Sequence, residues 1–221
     1  MKNVKRLIYT LAAAGLTATP LVANAYDAGD WLVRGRVIHV SPNDSSGSLS
    51  TVPGSGASVD SDTTIEVDFT YMYNKRFGVE LILASSEHDG EGTGTLSALG
   101  KIFDARTLPP TLTLQYHFNP DQKIQPYAGI GLNYTLFFNE NGTSSLDTAL
   151  GGSTSVNLDD SVGVAAQLGA DIKMNNDWFV NIDVKYIDMD TTGTLTTAAV
   201  TRTIDVDIDP WIFGIGIGKR F

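Results

Sequence analysis

Three observations predict an all-β chain folded as an eight-stranded antiparallel transmembrane β-barrel with short periplasmic turns and long external loops. Apolar and polar residues alternate through eight segments, charged side chains keep to one parity within them, and the connections alternate between short and long along the chain. A period of two belongs to a strand with two unlike faces and excludes helices of period 3.6. An apolar face turned to lipid and a polar face turned inward is the pattern of a membrane barrel.

The first segment, 31–40, sets Trp31, Val33, Gly35 and Val37 against Arg34 and Arg36. In 63–73, Ile65, Val67, Phe69, Tyr71 and Tyr73 alternate with Thr64, Glu66, Asp68, Thr70 and Met72. The third, 77–86, has Phe77, Val79, Leu81 and Leu83 outward and Glu80 inward. The fourth ends as Leu112, Leu114, Tyr116 and Phe118 against Thr111, Thr113, Gln115 and His117. In 124–138, Ala128, Ile130, Leu132, Tyr134 and Leu136 oppose Gly129, Gly131, Asn133 and Thr135. Segment six, 158–173, places Val162, Val164, Ala166, Leu168, Ala170 and Ile172 opposite Gln167 and Asp171. In the seventh, Trp178, Val180, Ile182, Val184 and Tyr186 oppose Asn181, Asp183 and Lys185.

The eighth segment, 205–221, closes the chain. From Trp211 its large residues, Trp211, Phe213, Ile215 and Ile217, alternate with Gly214, Gly216 and Gly218. Above Pro210 the apolar parity is even, at Ile204, Val206 and Ile208; below it the parity is odd. Either a bulge sits at Pro210 or the strand above it has already left the lipid.

Connections 74–76, 119–123 and 174–177 are tight and polar, whereas 41–62, 87–106, 139–157 and 191–203 are long and rich in Gly, Ser and Thr. Sorting loop length by end is the habit of outer-membrane barrels and puts both termini on the periplasmic side. Trp31, Tyr73, Phe77, Phe118, Tyr127, Trp178 and Phe221 fall near the short turns, and Tyr134, Phe138, Tyr186 and Trp211 toward the long loops, as two interfacial girdles. Hydrocarbon offers backbone groups no partner, so the first strand must pair with the eighth. A barrel of eight strands has an interior filled by side chains, not a wide pore.

Lys2, Lys5 and Arg6 precede an apolar run and Ala23-Asn24-Ala25, so residues 1–25 read as a cleaved signal peptide and 26–221 as the barrel. The leader holds three of the 15 basic residues and none of the 25 acidic ones, which leaves 12 against 25, or about −13. Such a chain does not bind nucleic acid through phosphates. With no cysteine, disulfides and thiolate chemistry are excluded. No later run of 18 apolar residues occurs, so a transmembrane helix is excluded too.

The inward charges Arg34, Arg36, Glu66, Asp68, Glu80, Asp171, Asp183 and Lys185 are of both signs. Cross-paired, they plug the periplasmic half of the lumen and leave apolar cargo to depart sideways; the alternative is a wet interior with independent charges. Asp205, Asp207 and Asp209 share one strand face and form either a divalent-cation site or a solvated rim near Arg202. His39, His88 and His117 are too few and too separated for a metal motif. A rim Ser/His/Asp site could draw on His39 or His88 with loop serines, but no nucleophile motif is present and no enzyme or cofactor is predicted.

Four strings carry a resemblance: LPPT (108–111), PYAGIGLNYT (126–135), YIDMDTT (186–192) and DPWIFGIGIGKRF (209–221). Together they resemble the OmpW family of eight-stranded outer-membrane proteins, in order and over essentially the whole mature chain. The resemblance implies residence in the cell outer membrane and passive uptake of small hydrophobic or amphipathic molecules. It further implies lateral release where a proline interrupts the wall, carried here by Leu108, Pro109 and Pro110; proline offers the ladder no N–H. A bend where the long loop meets the fourth strand is the structural alternative. The terminal strand resembles the family's assembly signal through Phe213, Ile215, Ile217 and Phe221, with Lys219 where members usually carry an aromatic. Expected partners are outer-membrane lipid, small hydrophobic solutes and the barrel assembly machinery. The competing function is a structural or receptor barrel that acts through its external loops without transport.

Overall fold

The computed structural model describes residues 26–174 and 177–221; the leader assigned to residues 1–25 and two residues of the 174–177 turn lie outside the described residues. Among the described residues the strands are, in chain order, β1 (Trp31–Ser41), β2 (Ser45–Ser46), β3 (Ser55–Val59), β4 (Asp62–Met72), β5 (Phe77–Ala84), β6 (Ser86–Gly94), β7 (Lys101–Leu108), β8 (Thr111–His117), β9 (Ile124–Gly142), β10 (Thr154–Leu158), β11 (Ser161–Lys173), β12 (Trp178–Ile187), β13 (Asp190–Thr197), β14 (Val200–Asp207) and β15 (Trp211–Arg220). A short helix, α1 (Ser144–Leu150), interrupts the third long connection.

Eight of these strands form the wall, ordered β11-β12-β15-β1-β4-β5-β8-β9, and β9 pairs back with β11 to close it. Every pairing is antiparallel, as up-and-down connections require. The two ends of the wall meet in the β1–β15 ladder, which runs from Leu32 opposite Arg220 to Ser41 opposite Trp211. It is finished by reciprocal bonds between Trp31 and Phe221, with N–H to O distances of 3.1 and 2.8 Å. At this junction no edge is left for lipid to meet.

Burial alternates as the parity requires. The outward residues of β9, β11 and β15 stand bare in a lipid-free molecule, Ile130 and Val162 at 70 % exposure, while Arg34, Asp68 and Glu80 are at 0 %. Trp31 packs on Tyr71 with ring centroids 5.2 Å apart, and Phe77, Tyr116 and Phe118 form an edge-on row at the turn end. Tyr186 and Trp211 meet at 5.3 Å at the loop end. Tyr127 corrects the girdle reading. It has the inward parity of Gly129 and Asn133 and lies 1 % exposed inside the barrel. The outward Lys219 sits over the rings of Trp178 and Phe221, 5.7 and 4.7 Å from their centroids. A cation there keeps the interfacial place of an aromatic by packing on two of them.

The four long connections are themselves mostly strand. β3, β6, β7 and the upper part of β9 continue the wall on one side, and β10, β13, β14 and β2 form a second arc facing them. Ser46 Oγ accepts from Ala57 N at 2.8 Å and ties the arcs together. In α1, Thr143 caps the N-terminus and Gly151 ends the helix in the left-handed conformation, which drops Leu146 into the interior.

At Pro210 the ladder is irregular. Ile208 N and Asp209 N both donate to Met189 O, at 2.7 and 3.2 Å, and Asp209 has φ +42°. Yet Ile204, Val206, Ile208 and Ile212 all face inward. The parity change in the sequence is therefore an inversion of polarity: above the lipid the apolar side of the strand is the inner one.

Gly216 shows how closely the closing ladder packs, since a Cβ there would stand 2.1 Å from Gly35 O and 2.7 Å from Arg36 Cα, both backbone. Gly35 faces lipid with nothing within 4 Å of the equivalent position. Gly216→Val should therefore cost about 1–3 kcal/mol or prevent closure, whereas Gly35→Ala should change stability by less than about 0.5 kcal/mol. Urea unfolding in vesicles, followed by the gel-mobility shift of the closed barrel, measures both.

Candidate functional site

Because charged residues hold the inward parity of β1, β4, β5, β11 and β12, barrel closure brings all eight into one layer. Arg34 Nη1 lies 2.8 Å from Asp68 and 3.4 Å from Glu80, and its Nη2 lies 2.9 Å from Asp171. Arg36 makes close ion-pair contacts at 2.7 Å with Glu66 and with Asp68 and reaches Glu80 and Asp183 at 3.5 and 3.7 Å. Lys185 Nζ completes the set at 2.9 Å from Glu66 and 2.6 Å from Asp183.

Three cations face five carboxylates here, and neutral donors supply the remaining bonds. Tyr26 and Asn181 donate to Asp171, Tyr127 to Asp183, and Thr113 and Gln167 to Glu80, over 2.6–3.0 Å. Buried charges are tolerated only when paired, and each of the eight lies in an ion pair, although Arg36 Nε and Nη2 and Asp68 Oδ2 make no hydrogen bond beside it. Beneath it, Tyr26, Leu32, Met72 and Phe179 form a small apolar cluster at the turn end. The Arg34 guanidinium lies 5.4 Å from the Phe179 ring and 5.5 Å from that of Tyr127.

Above the layer the lumen changes character. A cavity of about 890 Å³, its mouth included, is bounded below by Glu66 and Lys185 and walled by apolar residues such as Ile38, Val40, Phe103, Ile187, Val206 and Ile208. A second apolar cavity of about 440 Å³ lies further out and shares Phe103, Leu158 and Val206 with the first. Each of the four long connections sends one leucine into it: Leu49, Leu96, Leu146 and Leu195.

The wall of the larger cavity contains a seam. β5 pairs with β8 up to Ile82 opposite Thr111, and β6 pairs with β7 from Ser86 opposite Thr107. Between these pairs, among the described residues, no ladder bond joins 83–85 to 108–110. Pro109 and Pro110 have no N–H to give. On the other flank the wall is held, Pro110 O accepting from Tyr134 N at 3.1 Å. Pro109 and the neighbouring Thr107 and Thr111 line the cavity.

The sequence-predicted residues thus separate into three places. The eight charges form the layer, Leu108, Pro109 and Pro110 border the seam, and Phe213, Ile215 and Ile217 stand exposed on the outer face of β15, with Phe221 exposed just after it. Asp205, Asp207 and Asp209 do not converge: they accept from Thr192, Ser45 and the Met189 backbone. Arg202 binds Thr51 instead of an aspartate. His39 is hydrogen-bonded to Thr63, whereas His88 is hydrogen-bonded to Ser86 inside the cavity wall. Sequence reasoning missed Tyr26 and Tyr127 as members of the layer. Parity alone could have placed Tyr127; Tyr26 precedes the first strand and has no periodic signal.

Comparison with known proteins places this geometry. The OmpW family model matches residues 27–221. Outer membrane protein W of Vibrio cholerae is 37% identical, over 99% of this chain and all of that protein. The dibenzothiophene metabolism operon protein PahQ of Pseudomonas aeruginosa is 33% identical over 77% of each chain. The crystal structure of the outer membrane protein OprG from Pseudomonas aeruginosa superimposes with a TM-score of 0.83 at 38% identity, covering 89% of this chain and 98% of that one.

Removing one member of the ionic layer leaves its partners buried and uncompensated. Arg34→Ala should lower unfolding stability by about 3–5 kcal/mol, against less than about 1 kcal/mol for Arg106→Ala, whose pair with Glu87 is solvent-exposed. Paired urea titrations of the two variants in vesicles test the contrast.

Proposed function

The chain belongs to the OmpW family of outer-membrane barrels, and on that premise we propose that it is a channel for passive uptake of small hydrophobic or amphipathic molecules that leave sideways through the wall. A solute enters between the leucines of the external extension, crosses the apolar cavity and stops at the ionic layer. It then passes between 83–85 and 108–110 into the surrounding lipid. The route uses no cofactor, energy coupling or covalent step. The outward Phe213, Ile215, Ile217 and Phe221 serve the barrel assembly machinery as the recognition surface of the last strand.

One observation carries this reading: the floor and the seam lie at the same height. Glu66, which with Lys185 forms the floor, stands opposite Ala84 in the β4–β5 register. Ala84 lies within the unpaired stretch. A solute halted by charge therefore rests beside the one length of cavity wall that the β5–β8 and β6–β7 ladders leave unpaired. Desolvated charge is a steep barrier to an apolar molecule, and parting unbonded strands costs no ladder hydrogen bond. The name of PahQ, which refers to the metabolism of an apolar aromatic compound, agrees with a cargo of this class.

Replacing Pro109 supplies a donor on the seam side, whereas the Pro110 nitrogen faces β9, the side on which its carbonyl accepts from Tyr134 N. If the new N–H at 109 forms a ladder bond of about 1 kcal/mol, Pro109→Ala/Pro110→Ala should slow uptake about fivefold. The measurement is entry of a radiolabelled apolar solute into proteoliposomes whose outer leaflet carries lipopolysaccharide. Wild-type rates in the variant would sink the lateral route; wild-type rates no faster than empty vesicles would sink transport altogether.

A further inference from the structure

The apolar cavity carries a polar facet on one wall, directly above the seam. His88 Nδ1 lies 2.8 Å from Asp60 O, His88 Nε2 lies 2.9 Å from Ser86 Oγ, and Ser86 Oγ lies 2.8 Å from Thr107 Oγ1. Ser86 and Thr107 form the first ladder pair above the unpaired stretch. All three side chains line the cavity and are buried to 7–8 % exposure.

The directions of these bonds follow from the fixed end. A backbone carbonyl only accepts, so Nδ1 carries a proton to Asp60 O, and in the neutral ring Nε2 is then an acceptor. Ser86 donates its single hydroxyl proton to Nε2. Thr107 must therefore donate to Ser86, and the chain runs Thr107 to Ser86 to His88 to Asp60. Thr107 Oγ1 has no other protein partner among the described residues. Thr107 lines the cavity, and its hydroxyl oxygen keeps an acceptor lone pair that no protein group uses.

We propose that Ser86, His88 and Thr107 are a recognition site for a hydroxyl group on otherwise apolar cargo, which donates to Thr107 Oγ1 as the molecule reaches the seam. This deepens the uptake reading and rests on it. The favoured class is a medium-chain alcohol or a hydroxylated apolar ring, a molecule with one donor and a hydrocarbon body matched to the cavity. Ethers of the same size offer no donor and gain nothing from Thr107. His88 acts as a positioning residue: it holds the Ser86 proton and so obliges Thr107 to face the cavity as an acceptor.

The test is displacement of the apolar fluorophore 1-aminoanthracene from the full barrel in detergent micelles by decane, decyl methyl ether and 1-decanol. In the wild type, 1-decanol should compete about three- to tenfold better than the ether, the worth of one hydrogen bond. Thr107→Val, nearly isosteric, should erase that preference and leave decane competition unchanged; Ser86→Ala should weaken it. An alcohol preference that survives in Thr107→Val would overturn the site while leaving the cavity reading intact. Failure of the fluorophore and decane to bind at all would overturn the uptake reading and this inference with it. Covalent acylation of Ser86 by p-nitrophenyl decanoate, seen as a mass increase lost in Ser86→Ala, would overturn recognition in favour of nucleophilic chemistry.

Discussion

Every other feature of this molecule depends on one constraint: in hydrocarbon, each backbone N–H and C=O must find its partner within the protein. The constraint closes the sheet and ties Trp31 to Phe221 at the junction of the chain's two ends. It also gives an unusual weight to proline. In a soluble sheet Pro109 and Pro110 would mark an edge or a bend; within a closed wall they create a stretch where two strands run side by side without bonds, held on the β9 side alone.

A second consequence is that polarity turns over along the barrel axis. Where lipid lies outside, the outer face is apolar and the inner face holds paired charges; where water lies outside, Asp205 and Asp207 face outward and Ile204, Val206 and Ile208 face in. β1 keeps its parity and exchanges its chemistry across the boundary, from Arg34 and Arg36 to Ile38 and Val40, and so does the chain from Asp183 and Lys185 to Ile187 and Met189. The lumen is accordingly divided into a charged half and an apolar half, and the cavities lie in the apolar one. The ionic layer does more than avoid an empty core, because its upper surface, Glu66 with Lys185, forms the floor of the cavity at the height of the seam.

Individual departures from the pattern have local physical reasons. Lys219 occupies the outward parity of a membrane strand, but it does so next to Trp178 and Phe221, whose ring faces attract its ammonium group at the interface. Tyr127 lies at the height of the aromatic girdle and belongs instead to the lumen, where its hydroxyl donates to Asp183 and its ring packs beside Arg34. Height along the axis and facing are independent variables, and parity settles the second.

The sequence by itself determined strand identity, facing and the length order of the connections, because period two is a local property that any reader of residues 31–221 can count. It also identified the eight inward charges and the two prolines, since charge on the inner parity and a missing N–H are chemical facts of single residues. Only the tertiary structure decided which carboxylate meets which cation, that Tyr26 joins them, and that the long connections fold into strands enclosing an apolar space. It alone put Ser86, His88 and Thr107 beside the seam. Those relations depend on the register between strands far apart in the chain, as when Gln167 reaches Glu80 or Lys185 reaches Glu66. Register is fixed by closure of the whole ring and has no signature in any one segment.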